Sequence, residues 1–266
     1  MNISGQHLAY FSATHTTRDL VRRVGKTINL PVVKEHNLAG RANQEPHEVV
    51  VAPSELLIIG VPSYYGRVPE LVVPYVQQFK GDDSPAILLC AYGNRDFEDT
   101  LLELSDLISA QGFNVIAAGG FVATRFIFSQ VGAGRPDTAD LSEQTVFAEH
   151  CLKLLEQWND VEHNVAELTM RGNHPYRAMG TIPFYPTGNS KCDECGTCVK
   201  LCPTGAISEK NPKKTDKEKC ITCGRCITVC PQHARANRSL IFKIARKKFV
   251  GAHQDRQANA TYFIGD

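Results

Sequence analysis

The chain has 266 residues, 42% of them hydrophobic, and carries 29 Lys and Arg against 28 Asp and Glu for a net charge of +1. That length favours more than one domain, and the apolar share supports a buried core in at least one of them. No apolar run approaches the ~18 residues of a membrane span, and no basic segment followed by an apolar stretch opens the chain, so a membrane role and secretion are not expected.

In chain order, residues 6–12 read as a short buried strand. Thr16 to Lys26 follow as a helix, with Leu20, Val21 and Val24 at helical spacing. Val33 to Leu38 make a weak strand. Leu56 to Val61 (LLIIGV) make a clear one, ended by Pro62. Glu70 to Phe79 read as a helix that Pro74 must kink or shorten. Ala86 to Ala91 form the next strand, Phe97 to Ala110 an amphipathic helix with Leu101, Leu104, Leu107 and Ile108 on one face, and Phe113 to Ala118 another strand. Leu141 to Trp158 form a long helix. The stretch Phe121 to Pro136 carries no usable motif, and Gly132-Ala133-Gly134 lacks the third glycine and the preceding strand of a dinucleotide fingerprint.

Alternating helices and near-continuous apolar strands predict an α/β domain over 1–160, a doubly wound sheet of five parallel strands in the order 2-1-3-4-5. Ligands of such sheets sit beyond the carboxyl ends of the strands. Three loops leave those ends. The first, Ser12-Ala13-Thr14-His15-Thr16-Thr17, offers hydroxyls at a helix N-terminus, which suits a phosphate held without lysine. The second runs Gly60-Val61-Pro62-Ser63-Tyr64-Tyr65-Gly66-Arg67-Val68-Pro69 and the third Ala91-Tyr92-Gly93-Asn94-Arg95-Asp96-Phe97. Aromatic faces flank a flat ring, and glycine admits backbone amides to its edge. Arg67 reads first as a solvated loop residue and second as an anion clamp. Cys90 and Cys151 read as small core hydrophobes.

Residues 161–189, with several prolines and glycines, read as a linker whose aromatics Tyr176, Phe184 and Tyr185 rest on a domain. The other eight cysteines follow, within 190–233, in two copies of one spacing. These are Cys192-x2-Cys195-x2-Cys198-x3-Cys202-Pro203 and Cys220-x2-Cys223-x2-Cys226-x3-Cys230-Pro231. Such runs hold two [4Fe–4S] clusters, the fourth cysteine of each run ligating the other cluster. The expected sets are therefore Cys192, Cys195, Cys198 with Cys230, and Cys220, Cys223, Cys226 with Cys202. Zinc would want two separated CxxC pairs, and disulfides a short secreted chain. Thiolates fit a reducing cytoplasm, and oxygen-sensitive clusters an anaerobic host. Residues 234–266 are a basic C-terminal extension.

Charge divides along the same line. Residues 1–160 hold 12 Lys and Arg against 19 Asp and Glu, residues 161–266 17 against 9. Opposite surfaces that attract within one chain account for this, and no reader motif supports nucleic acid.

Residues 190–231 resemble two-[4Fe–4S] ferredoxin domains, an α+β fold, and the first loop resembles the phosphate loop of flavodoxins with His15 in place of its glycine. Tyr65 and Phe97 match the flavodoxin positions that stack on the flavin. Taken whole, with GVPSYYGRVP and YGNRD as its specific segments, the chain is similar to flavodoxin–ferredoxin fusion proteins of anaerobic bacteria. That resemblance implies FMN, two [4Fe–4S] clusters and electron transfer with soluble redox partner proteins of ferredoxin type, with a homodimer as one arrangement. The alternative is a dedicated reductase of a small molecule, with His15, Tyr64, Tyr65 and Arg67 in its pocket. The flavin site is expected to comprise Ser12, Thr14, His15, Thr16, Thr17, Pro62, Ser63, Tyr64, Tyr65, Gly66, Ala91, Tyr92, Gly93, Asn94 and Phe97.

Overall fold

The computed structural model describes residues 3–39, 45–158, 168–180 and 182–265. Its central sheet has six strands: β1 (Gly5–Tyr10), β2 (Val32–Asn37), β3 (Glu55–Pro62), β4 (Ser84–Tyr92), β5 (Phe113–Val122) and β6 (Ala260–Phe263). They lie in the order β2-β1-β3-β4-β5-β6. The first five run parallel, in the 2-1-3-4-5 order read from the sequence. The sixth was not expected. It pairs antiparallel with β5, Ala260 opposite Gly120 and Phe263 opposite Ala117. Four residues at an edge give too short an alternation to register as a strand.

Both faces of the sheet are covered over its inner strands, which explains their nearly unbroken apolar runs, while the edge strand β2 stays mostly exposed. Successive side chains point to opposite faces. Leu56 and Ile58 therefore pack with Leu20, Val21 and Val24 of α1 (Thr16–Ile28). Leu57 and Ile59 pack with Leu101, Leu104 and Ile108 of α2 (Thr100–Ser109). Phe147, Cys151 and Leu155 of α3 (Thr138–Gln157) join the first face. Asp137 and Asp140 form a reciprocal capping box at the start of α3. The expected helix over Glu70 to Phe79 is only a 3-10 turn (Glu70–Val72) and a single α-turn (Val73–Val76). Pro74 fits a first turn but cannot sit inside a longer helix, and Phe79–Lys80 instead pair with Val49–Val50. Cys90 and Cys151 lie fully buried in the two cores, and burial pushes both thiols far up.

Within the segment read as a linker, residues 161–167 and 181 lie outside the described residues. Residues 168–180 are fastened down. The Asp99 carboxylate accepts the amides of Asn173 at 3.0 Å and Arg177 at 2.7 Å. Arg67 is neither a solvated loop residue nor an anion clamp. Its guanidinium forks onto Glu103 at 2.7 and 2.8 Å, donates to the Arg177 carbonyl at 2.6 Å and lies over Tyr176.

The basic extension returns to the first domain. Helix α4 (Leu240–Ala252) starts at Ser239, whose hydroxyl accepts from Phe242 N, and buries Phe242 against Phe128 and Phe184. The chain beyond it is clasped by Asn94, which donates to the Asp255 carbonyl (2.9 Å) and accepts from Gln257 N (3.1 Å). Arg135, paired with Asp140 in the interior, reaches the Gln257 carbonyl at 2.6 Å. These contacts deliver β6 to the sheet edge.

Candidate cofactor sites

The two cysteine runs fold as similar lobes. In each, a left-handed glycine opens a one-turn helix: Gly196 (φ 75°) before Thr197–Lys200 and Gly224 (φ 78°) before Arg225–Thr228. One cavity is lined by Cys192, Cys195, Cys198 and Cys230. Another is lined by Cys202, Cys220, Cys223 and Cys226. Each cavity thus takes three cysteines from one run and the pre-proline cysteine of the other. Among the described residues, no group of three or more His, Cys, Asp or Glu gathers round a single-ion position. Four cysteines drawn from both runs round each cavity are the ligand set expected of a [4Fe–4S] cube.

The sulfurs already have donors. Ala206 N points to Cys202 Sγ and Ala234 N to Cys230 Sγ, both at 3.3 Å. Such hydrogen bonds to sulfur are among the terms that tune a cluster's potential. Burial raises the thiols of Cys198, Cys220 and Cys226, and the Arg235 guanidinium works against it at all three. Arg235 is itself buried, held on the Pro186 carbonyl at 2.7 Å and on the Pro212 carbonyl.

A third cavity, a cleft of about 120 Å³ partly open to solvent, lies beyond the carboxyl ends of β1, β3, β4 and β5. Of the sequence-predicted flavin residues it gathers Thr14, Thr16 and Thr17 from the first loop and Pro62, Ser63, Tyr64 and Tyr65 from the second. Ala91, Tyr92 and Gly93 come from the third. Burial raises the Tyr65 phenol to about 12. The Tyr64 phenol is raised well above its ordinary value, by burial first and then by Cys223 and Tyr65.

Five predicted residues stand off the lining. The Ser12 hydroxyl is turned inward to accept Arg18 N at 3.1 Å. His15 caps α1 with φ 72° and ψ −16°, the left-handed shape its glycine-like place requires. Gly66, at φ 79°, lies against Glu98. Asn94 holds the C-terminal segment. Phe97 corrects the resemblance most sharply: it is wholly buried, packed edge-on to Tyr92 at 5.3 Å with Arg171 over its ring at 4.1 Å. Its spacing after Gly93 is that of a stacking residue, but its side chain fills the hole left by Gly120.

The rest of the lining escaped the sequence. Thr124, Arg125, Phe126 and Ile127 come from the loop after β5, in the stretch without a motif. Ile182 comes from the segment read as a linker, and Ile221, Thr222 and Cys223 from the cysteine-rich part of the chain. The only available signal was topological, since a fifth parallel strand must also present its carboxyl end to the cleft. The two parts are joined at this edge: Arg225 Nη1 donates to the Ala13 carbonyl of the first loop at 3.2 Å, and Gly224 packs under Phe126.

Residues 191–235 match the 4Fe-4S dicluster domain family. No curated protein matches the chain. Among solved structures it is similar to a flavodoxin from the domain Archaea, at 12% identity and a TM-score of 0.37, over 57% of this chain and 99% of that one. A flavodoxin, WrbA-like protein from Agrobacterium tumefaciens matches at 11% and 0.40, over 58% and 98%. The rubredoxin:oxygen oxidoreductase of Desulfovibrio gigas matches at 14% and 0.40, over 60% and 38%. Among the described residues no helix is long and apolar enough to cross a membrane.

Proposed function

We propose that this chain, a sheet of flavodoxin-like order followed by a 4Fe–4S dicluster domain, relays electrons between two [4Fe–4S] clusters and an FMN, and through them to or from redox partner proteins. The observation that carries this reading is Cys223, which lines both the cavity of its own cysteine set and the cleft. A cluster passes one electron at a time and a flavin one or two, so their union in one chain converts between the two currencies. In this reading Cys202, Cys220, Cys223 and Cys226 hold the cluster nearer the flavin, and Cys192, Cys195, Cys198 and Cys230 the farther one.

The chain's own residues supply the rest. Thr14, Thr16 and Thr17 at the head of α1 offer hydroxyls and amides to a phosphate, with Arg225 adding a cation from across the domain boundary. Tyr64 and Tyr65 give the flat ring aromatic walls, and Gly93 brings backbone close to its edge. Ile182, Ile221 and Phe126 close the cleft against water on the side of the cysteines. The alternative reading as a reductase with Arg67 as its substrate clamp loses that residue, because Glu103 and the Arg177 carbonyl already occupy it.

The deciding measurement is the ultraviolet–visible spectrum of anaerobically purified protein during stepwise dithionite addition. Flavin bands over a broad iron–sulfur shoulder, both bleaching, are expected. A shoulder without flavin bands would overturn the relay and leave only the dicluster part. Rapid, stoichiometric reduction by NADH or NADPH with no partner present would overturn the reliance on protein partners.

A further inference from the structure

Arg125 stands at the exit of β5 and lines the cleft. Its guanidinium lies over the Phe249 ring of α4 at 4.6 Å, with Nη1 3.5 Å from the Gly93 carbonyl. Gly93 leaves room for it, since a Cβ there would come within 2.7 Å of the Arg125 side chain. What the arginine lacks is a counter-charge. No carboxylate pairs with it among the described residues, and its Nε is buried without a hydrogen-bond partner. The charge facing it from the third loop is another cation, Arg95, whose own carboxylate is Glu98 at 2.7 Å. Tyr65 faces it from the second loop. Burial first, and then Arg95, push the Arg125 guanidinium down to about 10.

Other enclosed arginines have their terminal nitrogens engaged. Arg67 has Glu103, Arg135 has Asp140, and Arg235, whose Nε is likewise without a partner, donates through both terminal nitrogens to two carbonyls and Thr215. A desolvated cation with no partner is costly, so a ligand anion in the cleft would be held strongly.

We propose that Arg125 is the counter-charge for the reduced flavin, so that the cleft prefers FMN carrying two electrons over oxidised FMN. This rests on the FMN reading above. The charges balance as follows. The oxidised ring is neutral. Two electrons, each released as a cluster core goes from 1+ to 2+, together with one proton taken at N5, leave one negative charge on the N1–C2 carbonyl edge. A cation lining the same partly buried cleft would favour that anion by more than tenfold. A tenfold preference raises the two-electron potential by about 30 mV. Arg125 thereby makes the flavin the sink of the chain: single electrons enter at the clusters and leave the flavin as a pair.

The test is a spectroelectrochemical titration of the whole, cofactor-loaded protein, comparing wild type with Arg125→Gln and Arg125→Lys. Cluster potentials read on the same samples serve as the control. The Gln variant should lose at least tenfold of the preference for reduced flavin, and the Lys variant should keep most of it, with the clusters unmoved. An unmoved flavin midpoint in Arg125→Gln that still binds FMN overturns the proposal. If Arg125→Gln does not fold, the wild type answers through the slope of its flavin potential against pH near neutrality. One proton per two electrons supports the proposal; two protons overturn it. Wild-type protein isolated without FMN would instead defeat the underlying flavin reading.

Discussion

The two cysteine lobes have the same spacing, the same left-handed glycine and the same one-turn helix, yet they face different surroundings. In the first, Cys195 is exposed, and a Cβ at Gly196 would meet nothing within 4 Å. In the second, Cys223 lines the cleft, its thiol raised by burial to about 12, and Arg225 reaches the Ala13 carbonyl. A Cβ at Gly224 would fall inside the Phe126 ring, 1.8 Å from Cε1. The duplicated motif gives two lobes of the same design. What each rests on leaves Cys195 of one exposed and sets Cys223 of the other against the cleft.

Cysteine substitution should break the comparison most completely. Cys195→Ser and Cys223→Ser each disturb one cluster, and iron analysis should show losses of the same size. Flash photoreduction followed at the flavin absorbance should separate them. Transfer between cluster and flavin should survive Cys195→Ser and disappear in Cys223→Ser. Equal loss in both would mean that the lobe touching the cleft has no privileged part. The glycine pair gives a smaller and purely structural contrast. Gly196→Ala should cost only the left-handed backbone penalty, about 1 kcal/mol. Gly224→Ala carries the same penalty and must also displace Phe126, a further ~1–3 kcal/mol by the scale of overpacking. Urea unfolding of the two variants compares them directly, and equal midpoints would refute the packing of the second lobe against Phe126.

Much of this asymmetry was hidden from the sequence for identifiable reasons. The inner strands β3, β4 and β5 were legible because burial on both faces makes them nearly continuous apolar runs, whereas the edge strand β2, VVKEHN, is mostly exposed and gave only a weak signal. The two cysteine sets were legible because spacing alone limits which sulfurs can surround one core. Phe126 and Arg125 were not, since a loop leaving a strand has no periodicity, and only the sheet order brings it to the cleft. Phe97 misled because chain spacing placed it at the ring while Gly120 offered it a hole in the core. Arg67 misled because its partner, Glu103, lies 36 residues away on a helix face. The strand Ala260–Phe263 was missed because its place depends on the Asn94 and Arg135 contacts, which link residues more than 120 apart.

Arg225 sharpens the comparison on a smaller scale, because the first lobe has Thr197 at the equivalent position. Arg225→Gln should weaken FMN more than tenfold, by the ~1.5–3 kcal/mol of a hydrogen bond to a charged group. Riboflavin, which lacks the phosphate, should be weakened little. Fluorescence titration with both flavins checks this, and equal weakening of the two would assign Arg225 to domain packing alone.

The smallest effect is expected at a third left-handed cap. His15 opens α1 at φ 72°, beside the 75° and 78° of Gly196 and Gly224, and is the one of the three that carries a side chain. Burial first, then Arg18 and Arg225, lower its pKa below the ordinary 6.5. Those surroundings disfavour a positive charge on the imidazole. Its cost is the left-handed backbone, about 1 kcal/mol, which glycine would relieve. His15→Gly should hold FMN at least as tightly as the wild type in the same titration. A large loss would show that the imidazole itself touches the flavin phosphate, and that the first loop departs from its glycine pattern in order to gain a ligand.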